Sequence, residues 1–187
     1  MISSDGLSLF FASDRPGGAG SRDLYVATRT ASDGGFAGPR RLVELASAAV
    51  DADPYLLADG SEPWFTSNRS GTAHIYRAKR TGLGFGTPEF VAVVNTTNGA
   101  AVEWLPVLTA DARTLYFGST RLGGPIAVFV AKRGSSDVDF EPPELVRELA
   151  SSVEQVPSWV SPDGCRLYLT LGPFGASPTS AKLLVAS

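Results

Sequence analysis

The sequence predicts an all-β fold: a β-propeller of about four blades of four-stranded antiparallel sheet, the first and last blades incomplete. Three observations predict it. An Asp followed by a short apolar run recurs at Asp5, Asp59, Asp111 and Asp163, a period of 52 to 54 residues. Each period holds four short β-type runs, the pattern of a propeller blade. The 20 Gly and 13 Pro among 187 residues punctuate those runs and leave little room for helices.

Each anchoring Asp opens a run that reads as a blade's second strand: Leu9-Phe10-Phe11, Pro63-Trp64-Phe65, Leu115-Tyr116-Phe117 and Leu167-Tyr168-Leu169. Ser-x-Arg follows in three units, at Ser13 and Arg15, Ser67 and Arg69, Ser119 and Arg121, and then glycine at Gly17, Gly71 and Gly123. A third strand comes next: Leu24-Tyr25-Val26, Ile75-Tyr76-Arg77, Val128-Phe129-Val130 and Leu183-Leu184-Val185. Three of these lead to a basic residue, at Arg29, Arg80 and Arg133. Phe-x-x-Pro, at Phe36 and Pro39, Phe85 and Pro88, Phe140 and Pro143, introduces an outermost strand.

Val-[Asp/Glu]-x-x-Pro closes the period, from Val50 to Pro54, Val102 to Pro106 and Val153 to Pro157, and reads as the innermost strand of the next blade. Proline lacks a ladder donor, so an edge strand lining a channel is where it is tolerated. The segment 142–156 competes for a helix, with Leu145, Leu149 and Val153 at steps of four. Its place in the repeat predicts a strand and a loop instead.

The units span 1–47, 48–99, 100–150 and 151–187 within one propeller domain, with three, four, four and three strands. The first strand of unit one and the last of unit four are missing from the pattern. An open ring leaves sheet edges uncovered. The sequence is therefore read as part of a longer propeller; an irregular four-bladed ring, or two copies that complete one another by self-association, are the alternatives.

Composition removes several function classes. With Lys+Arg 16 against Asp+Glu 19 the net charge is −3, which leaves no basic footprint for nucleic acid. One histidine, His74, and one cysteine, Cys165, exclude multi-histidine zinc sites and internal disulfides. No run approaches the ~18 apolar residues of a membrane span, so no membrane insertion is expected. No cofactor, metal site or catalytic residue is expected. His74 has no Gly-x-Ser-x-Gly elbow to serve, and Asp51-Ala52-Asp53 and Asp137-Val138-Asp139 lack the ligand count of a calcium loop. Cys165 is expected to be a partly buried small residue.

Ser4-Asp5-Gly6, the run from Leu9 to Gly18, Asp23-Leu24-Tyr25-Val26 and Ser161-Pro162-Asp163-Gly164 resemble the TolB-type, WD-like propeller repeat of bacterial envelope proteins. The resemblance extends over nearly the whole chain. It implies a periplasmic or extracellular location, with export supplied by a segment outside this sequence, and a protein partner of the cell envelope. Three departures stand out. Glu62-Pro63 replaces an aliphatic strand start, Ala112 replaces the turn glycine, and Leu171-Gly172-Pro173 replaces Ser-x-Arg. The last blade should be the least regular.

The repeated acids Asp51, Glu103 and Glu154 precede the innermost strands and have two readings. At a channel mouth, together with Asp53, Trp104 and Trp159, they would bind a cation or a basic partner segment. Alternatively each pairs with the arginine of the preceding unit, Asp51 with Arg15, Glu103 with Arg69 and Glu154 with Arg121, as a structural joint. The anchoring aspartates are expected to accept backbone N–H groups within their own turns. Trp104 and Trp159 suit either core packing or stacking at the channel mouth. The overall expectation is a non-enzymatic binding or scaffold module that uses loops and channel mouth for protein–protein interaction. The alternative is a carbohydrate-binding or accessory propeller of a lyase- or peptidase-like enzyme.

Overall fold

The computed structural model describes residues 1–97, 99–172 and 182–186, without the side chains of Lys182 and Leu183. The chain divides into two compact units, Met1–Val91 and Ala92–Ser187. The first contains a three-stranded sheet, β1 (Ser8–Ser13), β2 (Asp23–Thr28) and β3 (Arg40–Arg41). Its second sheet orders β4 (Asp51–Leu56), β5 (Pro63–Ser67), β6 (His74–Arg77) and β9 (Glu89–Phe90). A hairpin, β7 (Arg80–Thr81) and β8 (Gly84–Phe85), fills the β6–β9 connection. The second unit orders β10 (Glu103–Leu108), β11 (Thr114–Ser119), β12 (Ala127–Lys132) and β13 (Glu144–Leu145) in one sheet. Its other sheet is β14 (Gln155–Val160), β15 (Leu167–Leu171) and β16 (Lys182–Ala186). All pairings within these sheets are antiparallel and, apart from β6 with β9, between neighbours in sequence, the meander of a propeller blade.

The middle strands β2 and β5 are buried on both faces, which is why they read as apolar runs rather than alternating ones. β5 is buried throughout and β2 at all positions but Thr28. In the first unit Phe10, Leu24, Val26, Leu42, Leu45, Leu56, Phe65 and Tyr76 form one core between the two sheets. The sheets also meet through backbone: Asp51 N–H donates to Arg22 O at 2.9 Å, beside a parallel bridge from Arg22 to Val50. Gly20 permits this approach, since a Cβ there would lie 1.8 Å from Ala49 O. Gln155 N–H donates to Ile126 O at 2.9 Å in the same way in the second unit.

The prolines sit at irregularities of edge strands. β4 and β10 each carry a bulge, between Ala52 and Tyr55 and between Trp104 and Val107, which contain Pro54 and Pro106. The residues before them, Asp53 and Leu105, adopt φ of 52° and 51°. In β14 the irregularity falls between Pro157 and Trp159, one residue later relative to the proline. Proline fixes φ near −65° and cannot take the left-handed position that Asp53 and Leu105 occupy. The blade shifts its bulge to Ser158 instead.

Segment 142–156 forms β13 and a 3-10 turn, Arg147–Leu149, with no buried residue in that turn. Pairing of Phe129 with Leu145 and the bond from Val146 N–H to Val128 O outweigh the four-residue apolar spacing.

Candidate functional site

The recurrent acids are built into the blades. Asp51 begins β4 opposite Ser67, and Glu103 begins β10 opposite Ser119; both side chains are 0% exposed. Asp51 Oδ1 accepts Ser67 Oγ at 2.6 Å and Arg69 Nη2 at 2.8 Å, while Oδ2 accepts Ser47 N–H at 2.7 Å and Ser47 Oγ at 2.8 Å. Glu103 Oε1 accepts Ser119 Oγ at 3.1 Å, Arg121 Nη2 at 3.2 Å and Thr96 Oγ1 at 3.1 Å. The same guanidinium nitrogens reach back to the incoming connection, Arg69 to Leu45 O at 2.6 Å and Arg121 to Val94 O.

These arginines belong to the acid's own blade. The expected pairing with the preceding unit's arginine is therefore corrected: Asp51 meets Arg69 rather than Arg15, and Glu103 meets Arg121. Ser-x-Arg lies just past the strand that neighbours the acid's strand, so one antiparallel pairing brings the two together. Each arginine is further fixed by its aromatic bed. Arg69 lies over Phe65 and Tyr76 at 5.3 and 5.0 Å, and Arg121 over Phe117 and Phe129 at 5.1 and 4.7 Å. Burial pulls the Arg121 guanidinium below its usual range, and Glu103 opposes that shift.

Among the described residues the fourth sheet shows no such clamp, and proline counting places its acid position one residue early. Gln155, not Glu154, pairs opposite Leu171 and so occupies the position of Asp51 and Glu103. The acid and Ser-x-Arg are lost together, as expected of one device. Gln155 is 7% exposed and donates Nε2 to Ser151 Oγ at 2.8 Å, a substitute for the bond from Ser47.

The remaining predicted residues separate by burial. Asp53 is half-buried at the β4 bulge, Trp104 is half-buried on β10 opposite Gly118, and Glu154 is half-buried just before β14. Trp159 is 45% exposed and stacks at a tilt on Tyr168, centroids 5.2 Å apart. Trp64 is wholly buried. His74 is also buried, with Nε2 2.9 Å from Thr72 Oγ1 and its ring edge-on to Phe90. Cys165 is exposed, contrary to expectation, because the turn ahead of β15 ends on it and its N–H serves Asp163.

A second clamp escaped the sequence reading. Arg29, Arg80 and Arg133 each donate Nε, at 2.7 Å, to the carbonyl of the residue after the anchoring Asp: Gly6, Gly60 and Ala112. Each lies over the Phe of Phe-x-x-Pro, Phe36, Phe85 or Phe140, at 4.7, 4.9 and 4.4 Å. The recurrence of a basic residue five or seven positions before that motif was the available signal. The anchoring aspartates do accept turn N–H groups, Asp5 from Leu7, Asp59 from Ser61, Asp111 from Arg113 and Asp163 from Cys165. Hydroxyl bonds from Ser3, Ser61, Thr109 and Ser161 are the main reason all four carboxyls lie below the usual range.

No family model and no curated protein matches the sequence. Solved structures do. TolB from Agrobacterium tumefaciens superposes with a TM-score of 0.65 at 18% identity, over 98% of this chain and 58% of its own. TolB from Acinetobacter baumannii gives 0.53 at 18% identity, over 91% and 39%. The fold is that of the TolB-type β-propellers. Proteins of other kinds match as well: a puromycin-hydrolyzing peptidase of Mycobacterium tuberculosis superposes at TM-score 0.57 and 18% identity, over 100% of this chain and 29% of its own. A thermostable family-43 glycoside hydrolase matches at 0.61 and 14% identity, over 99% and 68%. The chain thus spans 58% and 39% of the two TolB proteins, and a shared fold leaves function to be argued from the site.

Proposed function

We propose that this chain is a non-enzymatic binding module of the bacterial cell envelope, periplasmic or extracellular, that captures a protein partner through its propeller loops and leading strands. One observation carries the reading: the acids that could have done chemistry, Asp51 and Glu103, are consumed inside the blades by Arg, Ser and Thr. Among the described residues the second unit presents two aromatics on its innermost strands, half-buried Trp104 on β10 and exposed Trp159 on β14. Aromatic side chains with little rotamer entropy to lose are favoured anchors for protein partners. The likeness to the two TolB structures supports the envelope setting.

The test is retention of an identified envelope protein on immobilised chain, compared with a Trp104→Ala, Trp159→Ala double variant. Loss of that protein with the double variant supports the proposal; equal retention overturns it. A carbohydrate ligand is the second reading. It is favoured by hydroxyls beside the aromatic pair, with Ser158 Oγ 2.6 Å from Thr170 Oγ1 on the strands that carry Trp159 and Tyr168. Saturable quenching of tryptophan fluorescence by acidic oligosaccharides, abolished by Trp159→Ala, would favour it.

A further inference from the structure

The turns of blades one and two enclose a cavity of about 240 Å³ within the first unit. Residues of the turn at 3–8 form one side, and residues of the turn at 56–60 form the other together with Arg80. Buried Phe10 and Leu56 supply its apolar part. Ser4 Oγ spans from one turn to the other and donates to Ala58 O at 2.6 Å. Met1 pairs beside Phe10 and Ser3 beside Ser8, so the incoming strand travels toward the turn and the cavity lies at its far end.

The corresponding turns of blades three and four close on one another. A Cβ on Gly164 would lie 3.8 Å from Thr109 Cγ2, whereas a Cβ on Gly60, the equivalent glycine, would meet Arg80 Nη2 of its own blade at 3.6 Å and nothing of blade one. Ser3 stands where Thr109 stands and makes the same bonds, donating to Asp5 Oδ1 at 2.6 Å and accepting Ser8 N–H at 2.9 Å, as Thr109 serves Asp111 and Thr114. It lacks only the γ-methyl that reaches the next turn. Arg80 is also less engaged than its sisters. Arg29 and Arg133 donate Nη1 to loop carbonyls, Gly34 O and Val138 O, each at 3.3 Å. Blade two replaces that loop with the shorter β7–β8 hairpin, and beyond the Nε bond to Gly60 O the Arg80 guanidinium meets no acceptor among the described residues. The turn bonds of Asp5 and Asp59 fall on Oδ1, from Ser3, Leu7 and Ser61, so Oδ2 of each can accept from a ligand.

We propose that this cavity binds a single neutral pyranose ring. Charge decides the class. Two carboxylates against one guanidinium repel an anion, and an ammonium group that met the carboxylates would be repelled by Arg80. A neutral sugar answers both kinds of group. Its O–H groups donate to Asp5 and Asp59, its oxygens accept from Arg80 and the Ser8 hydroxyl, and its C–H face meets Phe10 and Leu56. Volume decides the size, since about 240 Å³ falls below the roughly 300 to 1,000 Å³ of sites for drug-sized ligands and suits one ring. The site is independent of Trp104 and Trp159, which lie in the second unit.

The probes are the methyl pyranosides of glucose, galactose and mannose, with glucosamine and galacturonate as charged controls, each followed through backbone amide shifts. At least one neutral glycoside should bind saturably in the millimolar range, shift Ser4, Asp5, Ala58 and Gly60, and bind more tightly than either charged sugar. Ser3→Thr should weaken that binding at least tenfold and keep the fold, because Thr109 shows that threonine makes the same turn bonds. Arg80→Gln should weaken it at least threefold. No saturable shift with any of the three glycosides, tighter binding of a charged sugar, shifts centred on Trp104 or Trp159, or unchanged affinity in either variant would each overturn the proposal.

Discussion

Arg69 donates Nη2 to Asp51 Oδ1 at 2.8 Å, and the same nitrogen reaches the Leu45 carbonyl oxygen at 2.6 Å. One side chain therefore ties the first strand of its blade to the connection arriving from the blade before. Arg121 repeats the arrangement on Glu103 and Val94. The interaction is an ion pair within a sheet that also secures an inter-blade loop, and it explains why acid, serine and arginine recur together.

Glu103→Gln tests that clamp. The carboxylate is fully buried and holds Arg121, Ser119 and Thr96. Removing one partner of a buried pair strands the other charge and costs about 3 to 5 kcal/mol, whereas an exposed pair is worth about 0 to 1. Urea unfolding of the variant should show a loss in the upper range. A loss below about 1 kcal/mol would make the pair ornamental.

The fourth sheet offers the converse experiment. Gln155→Glu places a carboxylate opposite Leu171 with no Ser-x-Arg to receive it, so it should cost about 2 to 4 kcal/mol and be relieved by acid. Glu154→Gln, one residue earlier, should change unfolding by less than about 1 kcal/mol. Reversed magnitudes would restore the register that counting from Pro157 suggests.

How far the sequence could be read depended on the range of each interaction. Strand order and turn chemistry were legible because Asp59 with Ser61, or Asp111 with Arg113, act within a few residues and leave a local pattern. The partners of the acids were not. Arg15 and Arg69 flank Asp51 in sequence, and only the pairing of β4 with β5 selects Arg69. The misplaced Glu154 has a backbone cause. Pro157 was aligned with Pro54, but it lies six residues rather than five before the anchoring Asp, so in the ladder it takes the place of Asp53 and Gln155 takes the acid's place; its ring cannot adopt the left-handed conformation of Asp53, and the irregularity moves to Ser158. The bed beneath Arg133 was missed because a Phe seven residues downstream of a strand-terminal arginine looks like loop composition until the loop is folded back.

Acid should unfold the protein partly through its turns. Asp5, Asp59, Asp111 and Asp163 are held below the ordinary carboxylate range by hydroxyl and N–H donors. The unfolded chain then binds more protons than the folded one in acid. Their contribution is complete above the unfolded carboxylate range, near pH 4, and is lost as pH falls through their depressed folded values. Urea midpoints measured from pH 6 to 2 should fall less steeply when all four are replaced by Asn. Parallel curves would remove the turns from the acid transition.

The arginine that caps each turn should matter in proportion to its burial. Arg133 is 7% exposed, donates to Ala112 O, and lies over Phe140. Arg80 makes the equivalent bond to Gly60 O and stacks on Phe85 from an exposed position. Lysine has no Nε–H in that position and no planar face to stack, so the substitution removes both contacts at either site. In the buried setting a charge-assisted bond of about 1.5 to 3 kcal/mol is at stake, and in the exposed one water replaces most of it. Arg133→Lys should therefore cost about 2 to 3 kcal/mol in urea unfolding and Arg80→Lys less than about 1 kcal/mol. Equal losses would mean that the stacking, common to both, carries the energy and the carbonyl bond does not.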